Sequence, residues 1–167
     1  MTRMQQAREG KISDEIRQAA AREGIDAEAF REGVAAGTIA LVRNTLRDFT
    51  PLAIGGATRI KINANIGTSS AKAEMNEEME KMRTAIRHGA DAIMDLSTAG
   101  DLRAIRSALI KECPVAVGTV PLYEMADYAR RNSKSILELT ADEMFAVIEQ
   151  HCAQGIDFLT LHCGVTL

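Results

Sequence analysis

Three absences narrow the sequence before any motif is read. There is no excess of positive charge: 20 Lys and Arg stand against 23 Asp and Glu, a formal net charge of −3. A nucleic-acid binder neutralises a run of phosphates with clustered cations, so nucleic acid is not the expected partner. There is no apolar stretch approaching the roughly 18 to 20 residues that cross a bilayer, and Met1 to Gly10 is polar rather than an apolar signal core. Neither a membrane nor an export signal is indicated, and a cytoplasmic location is expected. Cysteine is scarce: Cys113, Cys152 and Cys163 are odd in number and contain no Cys-x-x-Cys pair. They fit reduced thiols, and they lack the spacing of a zinc or iron–sulfur ligand set.

What is present is ordinary for a folded chain: 167 residues, 46% hydrophobic and 26% charged. The first 57 residues read as a helical and extended segment. Ser13-Asp14 opens one helix that Gly24 stops, with Ile16, Ala19 and Ala20 at helical spacing; Asp26 opens a second that ends near Gly37, carrying Ala29, Phe30 and Val34. Ile39 to Val42 is a short strand candidate, and Gly55-Gly56 reads as a turn.

Residues 58–167 are more regular. Short β-branched or apolar runs, Ile60 to Asn65, Ala90 to Leu96, Val115 to Val120 and Ile156 to Leu161, alternate with amphipathic helices. The helices are marked by Met75, Met79, Met82 and Ile86, by Leu102, Ile105, Leu109 and Ile110, by the stretch from Pro121 to about Arg131, and by Met144, Val147, Ile148 and Cys152 behind a Thr140-Ala-Asp-Glu143 capping box. Strands alternating with such helices form parallel, right-handed βα units. Asn65, Met94 and Tyr123 follow one another at intervals of 29 residues near successive strand ends, and His162 follows after 39. Near-equal units in sequence order favour a (β/α)8 barrel of TIM type over a doubly wound sheet, whose strand order reverses. The expected fold is α/β: about four βα units of such a barrel behind an N-terminal helical segment.

A barrel does its chemistry at the carboxyl ends of its strands, where this chain's unusual polar residues stand. Asn63 and Asn65 share a strand face, and their amides, if buried, must be hydrogen-bonded. Gly67-Thr68-Ser69-Ser70 could cradle a phosphate with backbone N–H groups or simply cap the next helix. Asp91 and Asp95 are candidate acids, bases or acceptors, although Asp95 could equally cap its turn. Met94 alone reads as core filler. The Tyr123 phenol could donate to a phosphate or close the barrel rim. His162 is the best single candidate, able to donate to a substrate or to bind metal. Cys163 beside it should point to the opposite strand face, which argues against a thiolate–imidazole pair. His88 and His151, near helix C-termini, are expected to face solvent.

Several of these stretches together resemble a known family. Ile62-Asn-Ala-Asn-Ile-Gly-Thr-Ser69, Gly89-Ala-Asp-Ala-Ile-Met-Asp-Leu-Ser-Thr98, Val117-Gly-Thr-Val-Pro-Leu-Tyr123 and Gly155-Ile-Asp-Phe-Leu-Thr-Leu-His162 are similar, in order and spacing, to the phosphomethylpyrimidine synthase (ThiC) family. So are Thr2-Arg-Met-Gln-Gln-Ala-Arg-Glu-Gly10 and Arg31-Glu-Gly-Val-Ala-Ala-Gly37. The resemblance implies a radical S-adenosylmethionine lyase of thiamine biosynthesis that rearranges 5-aminoimidazole ribonucleotide into a phosphorylated hydroxymethylpyrimidine. It implies S-adenosylmethionine, a [4Fe–4S] cluster and zinc as cofactors, and a homodimer at full length. Carried over by motif, Asn65, Met94, Tyr123 and His162 would bind substrate, Met94 as a wall and the others through hydrogen bonds.

Two departures accompany the resemblance. Leu41-Val-Arg-Asn44 replaces a proline-containing family segment. The family's later motifs, including the Cys-x-x-Cys-x-x-x-x-Cys cluster site and two zinc-binding histidines, would lie beyond Leu167. On this expectation about 110 residues hold four βα units where a closed barrel needs eight in roughly 250, and the chain alone does not run the family's reaction. A 5-hydroxybenzimidazole synthase of anaerobic cobalamin biosynthesis carries the same motifs and substrate and is the nearest alternative. A non-catalytic half-barrel that binds the ribonucleotide or an intact partner subunit is another. A phosphosugar aldolase is the weakest, for want of a strand-end Lys suited to Schiff-base chemistry.

Overall fold

A computed structural model describes residues 1–164 of the chain. They form two compact units, Met1–Ile62 and Asn63 onward.

The first unit is assembled from capped helices. Helix α1 (Arg3–Arg8) begins in a reciprocal capping box between Thr2 and Gln5. Helix α2 (Asp14–Glu23) starts at Ser13, whose hydroxyl accepts from the Ile16 N–H, and ends at left-handed Gly24; α3 (Ala27–Ala36) runs from Asp26 to left-handed Gly37. These are the expected stop and start signals. Their apolar stripes meet in a core of Ala7, Ile16, Ala19, Ala20, Phe30 and Val34, joined by Ile39 and Ala53, whereas Ala29 is exposed. The expected strand at Ile39–Val42 is present as β1, and it has a partner the sequence reading missed: β2 (Leu52–Gly55), paired antiparallel with Ile39 opposite Gly55. Gly55 is therefore the end of a strand. A methyl there would meet the Thr38 carbonyl and the Ile39 backbone, and its φ of +157° adds strain for any other residue.

The second unit is a four-stranded parallel sheet in the order β3 (Asn63–Ile66), β4 (Ala92–Asp95), β5 (Ala116–Thr119), β6 (Phe158–Leu159). Between the strands come α4 (Met75–Arg87), α5 (Leu102–Glu112), α6 (Pro121–Arg131), a 3-10 turn at Ile136–Glu138, and α7 (Ala141–Gln154). Strand order equals chain order, the way a (β/α)8 barrel adds strands, with no reversal point. One sheet face, carrying Ile66, Ile93 and Val117, packs on Met79, Met82, Ile105 and Leu109 of α4 and α5.

Strand limits differ from the expected runs. The first was expected at Ile60 to Asn65, yet Ile60 and Ile62 are exposed. Residues 59–61 belong to the first unit instead: the Arg59 N–H donates to the Glu23 carboxylate and Lys61 Nζ pairs with it at 2.8 Å, with both ionic side chains of the pair buried. The strand thus starts at Asn63, opposite Ala92, the first residue of β4. The last strand is also shorter than Ile156 to Leu161, although the Asp157 and Thr160 N–H groups extend its pairing to the Val117 and Thr119 carbonyls. Its register leaves Leu161 and His162 outside the ladder.

Candidate functional site

Parallel register decides which side chains share a level on the sheet. Asn65 stands opposite Met94, Met94 opposite Gly118, and Gly118 opposite Phe158. Asn65 and Met94 are therefore brought to one level and one face near the carboxyl ends of β3 and β4. Asn65 is exposed and Met94 buried. Asn63, two residues back on the same face, is exposed as well, so neither asparagine amide faces the burial cost expected for an interior strand. Gly118 takes the corresponding position on β5, and the Phe158 ring lies where a Cβ at Gly118 would be.

Tyr123 does not occupy that level. The 29-residue interval from Met94 overshoots the register partner, Gly118, by five residues and places Tyr123 half-buried in the first turn of α6, behind Pro121 at the start of the helix. His162 is exposed beyond the end of β6. With Leu161 and Cys163 it lines an apolar cavity of 350 Å³ against Leu122 and Met125 of α6 and Met144 of α7. Strand alternation does not separate His162 from Cys163 there, because neither lies in a strand; both are exposed.

The loops after β3 and β4 are locked together, and this corrects the phosphate-cradle reading of Gly67-Thr68-Ser69-Ser70. The Gly67 N–H donates to Glu78 Oε2 at 2.7 Å, the Thr68 N–H to Ser97 Oγ at 3.1 Å, and the Ser69 N–H to the Lys72 carbonyl at 2.8 Å. Those donors are already committed within the chain. Nor does the loop cap a helix, since α4 starts at Met75 behind Glu74. Asp95 is buried and accepts from both the N–H and the hydroxyl of Ser97, the turn-capping alternative foreseen for it. Burial pushes its carboxyl above the usual range, against the lowering effect of the Ser97 bonds and the Arg106 charge. Asp91 is likewise buried.

His88 is exposed at the end of α4, as expected, but His151 is not: it is 2% exposed. Its Nδ1 lies 2.8 Å from Thr119 Oγ1, and its Nε2 lies 2.7 Å from Glu124 Oε2 and 2.9 Å from Arg106 Nη1. Arg106 Nη1 donates to Glu124 Oε2 at 2.6 Å, and its Nε donates to Gln154 Oε1 at 2.7 Å. Burial pushes the Glu124 carboxyl up, but the bonds and charges of His151 and Arg106 outweigh it and hold the group at about 2. This ionic cluster, absent from the sequence reading, ties α5, α6 and α7 to the end of β5. A signal for it existed: Met144, Val147, Ile148 and His151 continue one helical stripe, whereas Cys152, assigned to that stripe, is exposed.

Among the described residues no group of three or more His, Cys, Asp or Glu could hold a metal ion, and no helix is long and apolar enough to cross a membrane. Cys113 is buried in the helix-side core, with its Sγ 3.5 Å from the Val115 carbonyl.

Comparison with known proteins gives a consistent result. Residues 2–167 match the model of the Radical SAM ThiC family. The chain is 48% identical over 166 residues to a phosphomethylpyrimidine synthase of Thermodesulfovibrio yellowstonii, covering 99% of this chain and 39% of the relative. It is 47% identical over 171 residues to a phosphomethylpyrimidine synthase of Thermus thermophilus, covering 100% of this chain and 39% of the relative. A Pyrococcus abyssi protein of the same name is 46% identical over 167 residues, with 99% and 39% covered. The chain thus spans about two-fifths of the length of these curated relatives.

Proposed function

The chain belongs to the Radical SAM ThiC family, and from that premise we propose that it supplies the substrate-binding first half of a (β/α)8 barrel in a phosphomethylpyrimidine synthase. The substrate is 5-aminoimidazole ribonucleotide and the product of the complete enzyme is 4-amino-5-hydroxymethyl-2-methylpyrimidine phosphate. The relatives' shared name favours this product over a hydroxybenzimidazole. The observation that carries the reading is the sequential parallel sheet, whose register sets Asn65 and Met94 side by side near two carboxyl ends while Tyr123 and His162 follow the next two strands.

Each residue has a role suited to its setting. Exposed Asn65 offers an amide that both donates and accepts, matching the heteroatoms of an aminoimidazole or a ribose. Met94, buried and without a charged or hydrogen-donating tip, supplies an apolar wall. The Tyr123 phenol and His162 imidazole add hydrogen bonds toward the ribose phosphate. The complete protein acts as a cytoplasmic homodimer.

The residues present do not fit the family's metal groups. Cys113 is buried in the core, Cys152 and Cys163 are not within a Cys-x-x-Cys pattern, and the described residues contain no metal-capable cluster. The ligands of the iron–sulfur cluster and of zinc therefore belong to the segment of the relatives that this chain does not cover, and the contribution of these 167 residues is binding and orientation.

Calorimetric titration of the chain with 5-aminoimidazole ribonucleotide tests the reading. Saturable binding is expected, weakened about tenfold by Asn65→Ala, the equivalent of one hydrogen bond of about 1.4 kcal/mol. Absence of binding, or binding indifferent to both Asn65→Ala and His162→Ala, would sink it. Anaerobic reconstitution with iron and sulfide should give no S-adenosylmethionine cleavage by the chain alone; turnover would contradict the assignment of the cluster ligands to another segment.

A further inference from the structure

Arg106 has more donors than its protein partners use. Its side chain is 3% exposed, yet only two of its three guanidinium nitrogens are engaged: Nε by Gln154, and Nη1 by Glu124 and His151. Nη2 is buried and has no hydrogen-bond partner among the described residues. A buried donor on a permanently charged group left without an acceptor is rare in folded proteins, because the desolvation it suffers on folding is not compensated.

Arg106 also lines a small cavity. The space has a volume of 10 Å³ and is lined by Arg106 and the polar side chains of Asp95, Ser97, Thr119, Glu124 and His151, with Leu102 and Val120 as its apolar part. That volume is about one water molecule, too small for a phosphate, a carboxylate or any organic group, and the wall is mostly polar, unlike the apolar cavities that stay dry. The guanidinium charge excludes a cation. The Asp95 carboxylate, which lines the same cavity, has capacity to spare, since every bond it accepts among the described residues goes to Oδ1, from the Ser97 N–H and hydroxyl. Arg106 acts electrostatically on that carboxylate although no direct hydrogen bond joins them.

We propose that this cavity is a binding site for a single ordered water, which accepts a hydrogen bond from Arg106 Nη2 and donates one to Asp95 Oδ2, with Thr119 Oγ1 or Ser97 Oγ as a third partner. The water completes the Arg106 donor set and joins α5 to the carboxyl end of β4, at the residue that follows Met94. The same guanidinium grips Glu124, the neighbour of Tyr123 in the first turn of α6. One hydrated cluster thereby fixes the supports of two of the strand-end residues. The inference stands on the cavity and the unpaired nitrogen and does not depend on the reaction proposed above.

A high-resolution crystal structure of the 167-residue chain decides it. One water peak is expected, about 2.7 to 3.2 Å from both Arg106 Nη2 and an Asp95 carboxylate oxygen. A dry cavity, or Nη2 bonded directly to a protein acceptor, overturns the proposal. In solution, magnetic relaxation dispersion of water should count one long-lived buried molecule fewer in Arg106→Lys, which keeps the charge but has no second Nη; an unchanged count in a folded variant also overturns it. Should the variant not fold, the wild-type crystal structure alone gives the answer.

Discussion

Glu124 couples the chain's stability to acid. In the unfolded chain its carboxyl has the ordinary value of 4.5, and in the folded chain it is held at about 2 by His151 and Arg106 against burial. A carboxyl with a depressed folded value contributes stability that is present in full above about pH 4.5 and is lost as the pH falls toward 2. Solvent screening of this partly buried group reduces the corresponding contribution to something on the order of 2 kcal/mol. Denaturant midpoints should fall across this window in the wild-type chain, and Glu124→Gln, destabilising near neutrality by roughly 2 kcal/mol, should approach the wild type only as the pH nears 2; a constant difference between the two at every pH would contradict the assignment. Gly67 is a second sensitive position. A methyl there would lie 2.6 Å from the Ser97 nitrogen, at a φ of +154°. Gly67→Ala should cost roughly 1 to 3 kcal/mol, read as a lowered melting temperature, because backbone rather than a movable side chain blocks it. At this scale the sequence was partly legible. Asn65 and Met94 could be placed by strand alternation and spacing, but Tyr123 could not, because an interval counted along the chain ignores where β5 ends and α6 begins. Nearness to a helix C-terminus points His151 toward solvent, but the apolar stripe of α7 that it continues buries it.

Local capping signals located the helices well because they act over three or four residues. Thr140 accepts from the Glu143 N–H while Glu143 accepts from the Thr140 N–H, the box expected from the sequence. Thr140→Ala should therefore destabilise the chain by about 1 kcal/mol, measured by chemical denaturation. Strand limits were less legible because they depend on partners. β2 has an unremarkable apolar run, Leu52-Ala53-Ile54, and becomes a strand only through pairing with β1. β3 begins where β4 can meet it, after Lys61 has been drawn to Glu23. The sheet itself makes a prediction: β4 is paired along its whole length on both sides, whereas β6 pairs with β5 over two residues. Hydrogen exchange should be slowest at β4 amides and faster at β6; the reverse order would contradict the strand order described here.

At the scale of the whole molecule, composition and net charge excluded partners without choosing one, and the repeated strand–helix pattern indicated a parallel α/β architecture. The sequential strand order bears out that coarse architecture, with four parallel strands among the described residues. The chemistry attached to it came from motifs rather than from periodicity, since many reactions share such a sheet. The central claim is that the carboxyl ends of β3 to β6 form a surface for a phosphorylated aminoimidazole riboside. Amide chemical-shift mapping of the isotope-labelled chain during titration with 5-aminoimidazole ribonucleotide tests this most directly. The account predicts saturable shifts concentrated at Asn65, Met94, Tyr123 and His162 and their immediate neighbours, whereas shifts confined to the first unit, or no saturable shift anywhere, would contradict it.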